Sequence, residues 1–114
     1  MAGHSRFSSQ TLSVLAALEA DPAAWLHGYL IAKQTGLASG TLYPILIRLA
    51  ERRLIEARWE DEQPAGRPRR HLYRLTAGGL AAAKAALAEQ DRLQHRRTAA
   101  VGRAGRRRVA GEGV

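Results

Sequence analysis

Between Leu42 and Trp59 the apolar periodicity of the chain changes once, and that change constrains the fold more than any bulk property. Leu42, Ile45, Leu46 and Leu49 recur at i, i+3, i+4 and i+7, which is one face of a helix. Ile55, Ala57 and Trp59 then alternate with Glu56, Arg58 and Glu60, the pattern of a half-buried strand. A helix must therefore hand the chain almost directly to a strand.

The flanking segments complete the pattern. Upstream, Leu12, Val14, Leu15 and Leu18 form an apolar stripe behind a cap at Ser8 or Ser9, and Asp21-Pro22 ends it, predicting a helix from about Ser9 to Ala20. A second helix is expected from about Trp25 to Thr35, stopped by Gly36. The third begins at a cap that is either Ser39 or Thr41. With Thr41 as the cap, Pro44 falls in the first turn, where no backbone hydrogen bond is lost; with Ser39 it sits deeper and one is lost. Downstream, DEQPAGRPRR carries two prolines and a glycine and reads as an exposed loop. In HLYRLT, His71, Tyr73 and Leu75 share one face of a second strand, so strand, loop and strand make a hairpin. Thr76 caps an alanine-rich helix, about Ala77 to His95. Residues 96–114 lose periodicity and are expected to be disordered.

Three helices, a hairpin and a fourth helix, with the short glycine-containing link LASG between helices two and three, make a winged helix-turn-helix. The expected class is mainly α with a small β-hairpin. Residues 1–75 form the winged domain, 76–95 a C-terminal helix and 96–114 a basic tail. With 114 residues the core is thin, and such domains often lean on oligomerisation.

Charge narrows the partners. Eighteen Lys and Arg face ten Asp and Glu, a net charge of +8, and the isoelectric point is about 11.2. That excess favours a polyanion. It is uneven, because residues 96–114 hold six arginines against one glutamate. There is no cysteine, so disulfides and thiolate metal sites are excluded. His4, His27, His71 and His95 are scattered without ligand spacing. No apolar run reaches membrane-spanning length, and no secretory signal is visible. Glu60, Asp61 and Glu62 form a loop run with no base or nucleophile beside them and read as a solvated edge. A cytoplasmic, non-enzymatic protein without cofactor or metal is expected.

GTLYPILIRLAERRLIEARWE followed by GRPRRHLYRLT resembles the PadR family of bacterial transcription regulators. Gly-Thr-Leu-Tyr-Pro is similar to the start of that family's recognition helix, Leu54-Ile55 to the start of its wing, Gly-Arg-Pro-Arg to the wing tip and Tyr73-x-Leu75-Thr76 to its close. His27-Gly28-Tyr29 is also similar. The resemblance covers roughly residues 9–95. Two departures stand out: Arg53 occupies a site where the family has glycine, and Ala50 one where it often has glutamate. The last helix has no aromatic residue, unlike members that hold flat drugs between its tryptophans.

The resemblance implies a dimeric, DNA-binding repressor acting at a pseudo-palindromic operator. Ser39, Thr41, Tyr43 and Pro44 would face the major groove from the first turns of the recognition helix, where Pro44 can pack on a thymine methyl. Arg48, one turn deeper, would contact phosphate or pair with Glu51 or Glu56. At the wing tip, Arg67 would be free to enter the minor groove, with Arg69 and Arg70 beside it. Leu80, Ala83 and Leu87 keep one face of the last helix apolar, and with Leu12 and Leu15 of the first helix they are expected to form a homodimer interface. A small-molecule effector of unspecified identity is left open. The rival readings are a protein-interaction module and a non-specific nucleic-acid binder.

Overall fold

The structure, a computed structural model, describes residues 7–61 and 65–111, with side chains described up to residue 100. His4, Glu62 and the tail side chains beyond residue 100 lie outside the described residues. In chain order the elements are α1 (Ser9–Glu19), β1 (Leu26–His27), α2 (Gly28–Thr35), α3 (Ser39–Glu51), β2 (Ile55–Trp59), β3 (His71–Leu75) and α4 (Ala77–Gly111). The architecture is a winged helix, as the periodicities require.

Ser8 rather than Ser9 caps α1, its Oγ accepting from the Thr11 N–H at 3.1 Å. The buried residues of α1 (Leu12, Val14, Leu15, Leu18), Ile31 of α2 and Leu42, Ile45, Leu46 and Leu49 of α3 form one core with Ile55, Tyr73, Leu75 and Ala83.

The second helix begins at Gly28, three residues later than its apolar content suggests. Leu26 and His27 are extended and pair antiparallel with β3, Leu26 opposite Tyr73 and His27 opposite Leu72. The hairpin is thus a three-stranded sheet in the order β1-β3-β2. A two-residue strand is too short to show a period. His27 does two things at once: its backbone joins the sheet, and its Nδ1 accepts the Leu30 N–H at 3.2 Å to cap α2.

Neither expected cap of α3 is correct. Ala38 is the N-cap, with no side-chain cap hydrogen bond; Thr41 N and Leu42 N both donate to its carbonyl. Pro44 is therefore inside the helix, and the Gly40 carbonyl is left without its in-helix donor. The helix ends in a Schellman turn: Leu54 N donates to Leu49 O at 2.9 Å and Arg53 N to Ala50 O at 3.0 Å. Arg53 there is left-handed, φ 59°.

Thr76 caps α4 as expected, accepting the Gly79 N–H at 2.9 Å, while its hydroxyl donates to Arg53 O at 2.8 Å. The helix start packs so closely on the α3–β2 junction that a Cβ at Gly79 would lie 1.7 Å from Leu54 O. Only glycine admits that approach.

Two expectations for α4 are corrected. The helix runs past the expected end at His95, to Gly111; alanine and arginine are strong helix formers and outweigh the interspersed glycines. Leu12, Leu15 and Ala83 are not available to a second subunit, since each is buried within the protomer, Leu15 and Ala83 at 0% exposure. The first turns of α4 pack on α1 of the same chain. Leu80 and Leu87 are only partly covered by that core.

Candidate nucleic-acid interface

With Leu42, Ile45, Leu46 and Leu49 turned inward, α3 presents Ser39, Gly40, Tyr43, Pro44, Ile47, Arg48, Ala50 and Glu51 to solvent. Thr41 is half-exposed. The uncapped start leaves amide N–H groups pointing outward, a favourable place for an anion.

Tyr43 is not a simple outward-pointing reader. The residue is 43% exposed, and its hydroxyl end lies over Gly28, where a Cβ would come within 2.4 Å of Oη. Gly28 is needed because Tyr43 occupies that space. The pair ties the first turn of α3 to the first turn of α2.

Beside Tyr43 an open cleft of about 300 Å³ separates α3 from the wing, with Tyr29 and Gly28 on the α2 side and Arg69, Arg70, His71 and Tyr73 on the wing side. Tyr29 is 68% exposed. Burial, reinforced by the nearby Tyr43, pushes the Tyr73 phenol up. His71 stacks on Trp59 with ring centroids 3.8 Å apart. The guanidinium groups of Arg58 and Arg74 both lie over the Trp25 ring, 4.5 Å and 4.3 Å from its centroid, and Arg74 donates to Glu56 Oε2 at 3.0 Å. Glu56 is thereby taken by Arg74, and Arg48 stands on the opposite flank of α3, lining a shallow depression with Phe7, Thr11 and Arg52.

The wing tip departs most from expectation. Arg67 is held by Glu60: Nη1 donates to Oε1 at 2.9 Å and Nη2 to Oε2 at 3.3 Å. Glu60 Oε1 also accepts the Arg70 N–H at 2.9 Å, and Glu60 N donates to Arg70 O. Glu60 is thus the clasp of the wing, not a solvated edge, and Arg67 is the residue clasped. The Arg67 hydrogen bonds, followed by that from Arg70, hold the Glu60 carboxyl down to about 2. The turn is completed by Gly66 at φ 84°. His27 lies close enough to feel the same charges; burial first, then Arg70, lowers its pKa.

Of the residues singled out from sequence, Ser39, Thr41, Tyr43 and Pro44 come together at the start of α3, with Arg69 and Arg70 across the cleft. Arg67 is turned to Glu60, and Arg48 is on the far side. Sequence reasoning assigned Gly28 no role beyond its motif and Glu60 only that of a solvated edge, and it did not single out Ile47. Ile47 was accessible, since Gly40, Tyr43, Pro44 and Ile47 are themselves spaced i, i+3, i+4, i+7. Glu60 was hidden among three consecutive acids.

Comparison with known proteins agrees with this geometry. No curated protein sequence matches significantly. Among solved structures, a PadR family transcription regulator from Clostridium difficile matches at TM-score 0.70 and 26% identity, over 82% of this chain and 99% of that one. The PcaV transcriptional regulator of Streptomyces coelicolor, solved with its natural ligand, matches at TM-score 0.67 and 27% identity, over 95% and 77%. MepR, a regulator of the Staphylococcus aureus multidrug efflux pump MepA, shares the fold at TM-score 0.67 and 20% identity; 82% of this chain spans 65% of MepR, just under two thirds of its length. The profile of the transcriptional regulator PadR-like family matches residues 14–85, more than half of the sequence, and the chain belongs to that family.

Proposed function

We propose that this regulator is a homodimeric, sequence-specific repressor that binds a pseudo-palindromic operator and acts in the cytoplasm by occluding a promoter. The observation that carries the reading is the exposed first half of α3 beside a wing whose Arg69 and Arg70 face the same cleft. Two such helices, one per protomer, would enter successive major grooves about 34 Å apart. Ser39 and Thr41 at the uncapped helix start suit phosphate or base contacts, and Tyr43 and Pro44 contact bases. Arg69 and Arg70 replace Arg67 as the wing cations offered to DNA. Arg48 reaches phosphate from the other flank.

The dimer reading rests on the half-covered Leu80 and Leu87 of α4. The ligand held by PcaV supports small-molecule control on this architecture; an effector would shift the spacing of the two α3 helices.

The test is selection of bound fragments from a genomic library by the purified full chain, followed by footprinting and light scattering. One enriched palindrome and a dimer support the reading. Equal affinity for every duplex would make the protein a non-specific binder, and no DNA binding would make it a protein-interaction module.

A further inference from the structure

Beyond the Ser39 and Thr41 hydroxyls of its first turn, the outward face of α3 has almost nothing with which to read a base edge by hydrogen bonds. Gly40, Tyr43, Pro44, Ile47 and Ala50 are all exposed, and Ile47 is 58% exposed. An exposed isoleucine in the middle of a helix this short is a binding feature when it continues an apolar stripe, rather than a lone surface residue. Guanine is read by Arg or Lys, adenine by Asn or Gln, and cytosine by Asp or Glu. None of these occurs between Ser39 and Ile47. Arg48 belongs to the flank that meets Phe7 and Arg52. The Tyr43 hydroxyl is directed over Gly28. Glu51 comes only in the last turn.

The surroundings select the occupant. Arginines bracket the stripe on both sides, Arg48 and Arg52 on one, Arg69 and Arg70 on the other. An apolar strip between two cationic banks fits a groove whose walls are phosphate and whose floor carries methyl groups. The thymine C5-methyl is the apolar group that the major groove displays.

We propose, resting on the DNA-binding reading above, that Ile47 and Pro44 specify the operator by packing on thymine methyls, so that beyond the Ser39 and Thr41 hydroxyls of its first turn α3 reads the groove by apolar contact. Ile47 is then the residue that sets base preference at the centre of each half-site.

The experiment starts from a random-sequence duplex pool selected with the full-length protein. The enriched duplex is resynthesised with deoxyuridine in place of thymidine, one position at a time, which removes the methyl and leaves every hydrogen-bonding group unchanged. Positions under α3 should lose about fourfold in affinity per methyl. Ile47→Ala, a surface change that leaves the melting temperature in place, should make one of those positions insensitive to deoxyuridine. A duplex that is enriched and discriminated, yet binds equally well with deoxyuridine throughout, overturns apolar readout while sparing operator recognition. Unaltered deoxyuridine sensitivity in Ile47→Ala overturns the assignment to Ile47. If no duplex is enriched, the reading of a sequence-specific operator binder fails and this inference with it.

Discussion

The Tyr43 hydroxyl lies over Gly28, closer to the site of an absent Cβ, 2.4 Å, than any side chain would tolerate. Two motifs fifteen residues apart in sequence, His27-Gly28-Tyr29 and Leu42-Tyr43-Pro44, are therefore one structural unit. Gly28→Ala should push the Tyr43 ring outward. Because that ring is half-exposed and can swing, the stability loss should stay below about 1 kcal/mol, at the mild end of overpacking. Operator discrimination should fall about tenfold. In a Tyr43→Ala background, Gly28→Ala should be neutral, and a double-mutant cycle of operator affinity checks the coupling.

Glu60 clasps the wing. Replacing it by Gln removes one negative charge and releases Arg67. Affinity for random duplexes should rise, with the salt slope of log K steeper by about 0.9 if Arg67 gains one phosphate. The operator-to-random ratio should fall. Titrations of both duplexes across a salt series check it, and an unchanged slope would mean that Arg67 stays docked without its partner.

The same carboxylate gives a pH signature. Its folded pKa, about 2, lies below the ordinary value of 4.5. Its contribution is therefore present above about pH 4.5 and is lost as pH falls towards 2. Hydrogen exchange at the Arg70 amide should be slower in the native protein than in Glu60→Gln near pH 5, and the two should converge towards pH 2.

His27 acts in a different window. Its Nδ1 must be unprotonated to accept the Leu30 N–H, and its folded pKa lies below 6.5. Folding thus favours the neutral ring, so its contribution is complete above about pH 6.5 and erodes below it as the unfolded chain takes up the proton first. His27→Asn keeps a capping acceptor without a titrating ring. Its melting temperature should vary less between pH 7 and 5 than that of the native protein.

Arg53 carries the left-handed conformation that glycine adopts freely. The strain is roughly 1–2 kcal/mol, partly offset by the larger unfolded-state entropy of glycine. Arg53→Gly should stabilise by about 0.5–1 kcal/mol in denaturant titration. A destabilised variant would indicate that the arginine side chain makes a contact worth more than the strain.

Local periodicity determined the element types from the sequence by itself. The switch from Leu42-Ile45-Leu46-Leu49 to Ile55-Ala57-Trp59 placed α3 and β2, and Thr76 announced α4, because a 3.6-residue or two-residue repeat is a property of neighbouring side chains. The Gly-Thr-Leu-Tyr-Pro and Gly-Arg-Pro-Arg runs likewise carried the family. Tertiary structure alone decided the rest, because each remaining feature depends on groups brought together by folding. Leu26-His27 is a strand only because β3 lies beside it. Leu15 and Ala83 belong to the protomer core only because α4 turns back onto α1. Arg67 is engaged rather than free because the hairpin register brings Glu60 across from Arg70. Burial and charge pairing are relations across space, and no local pattern records which face of a helix will find a neighbour first.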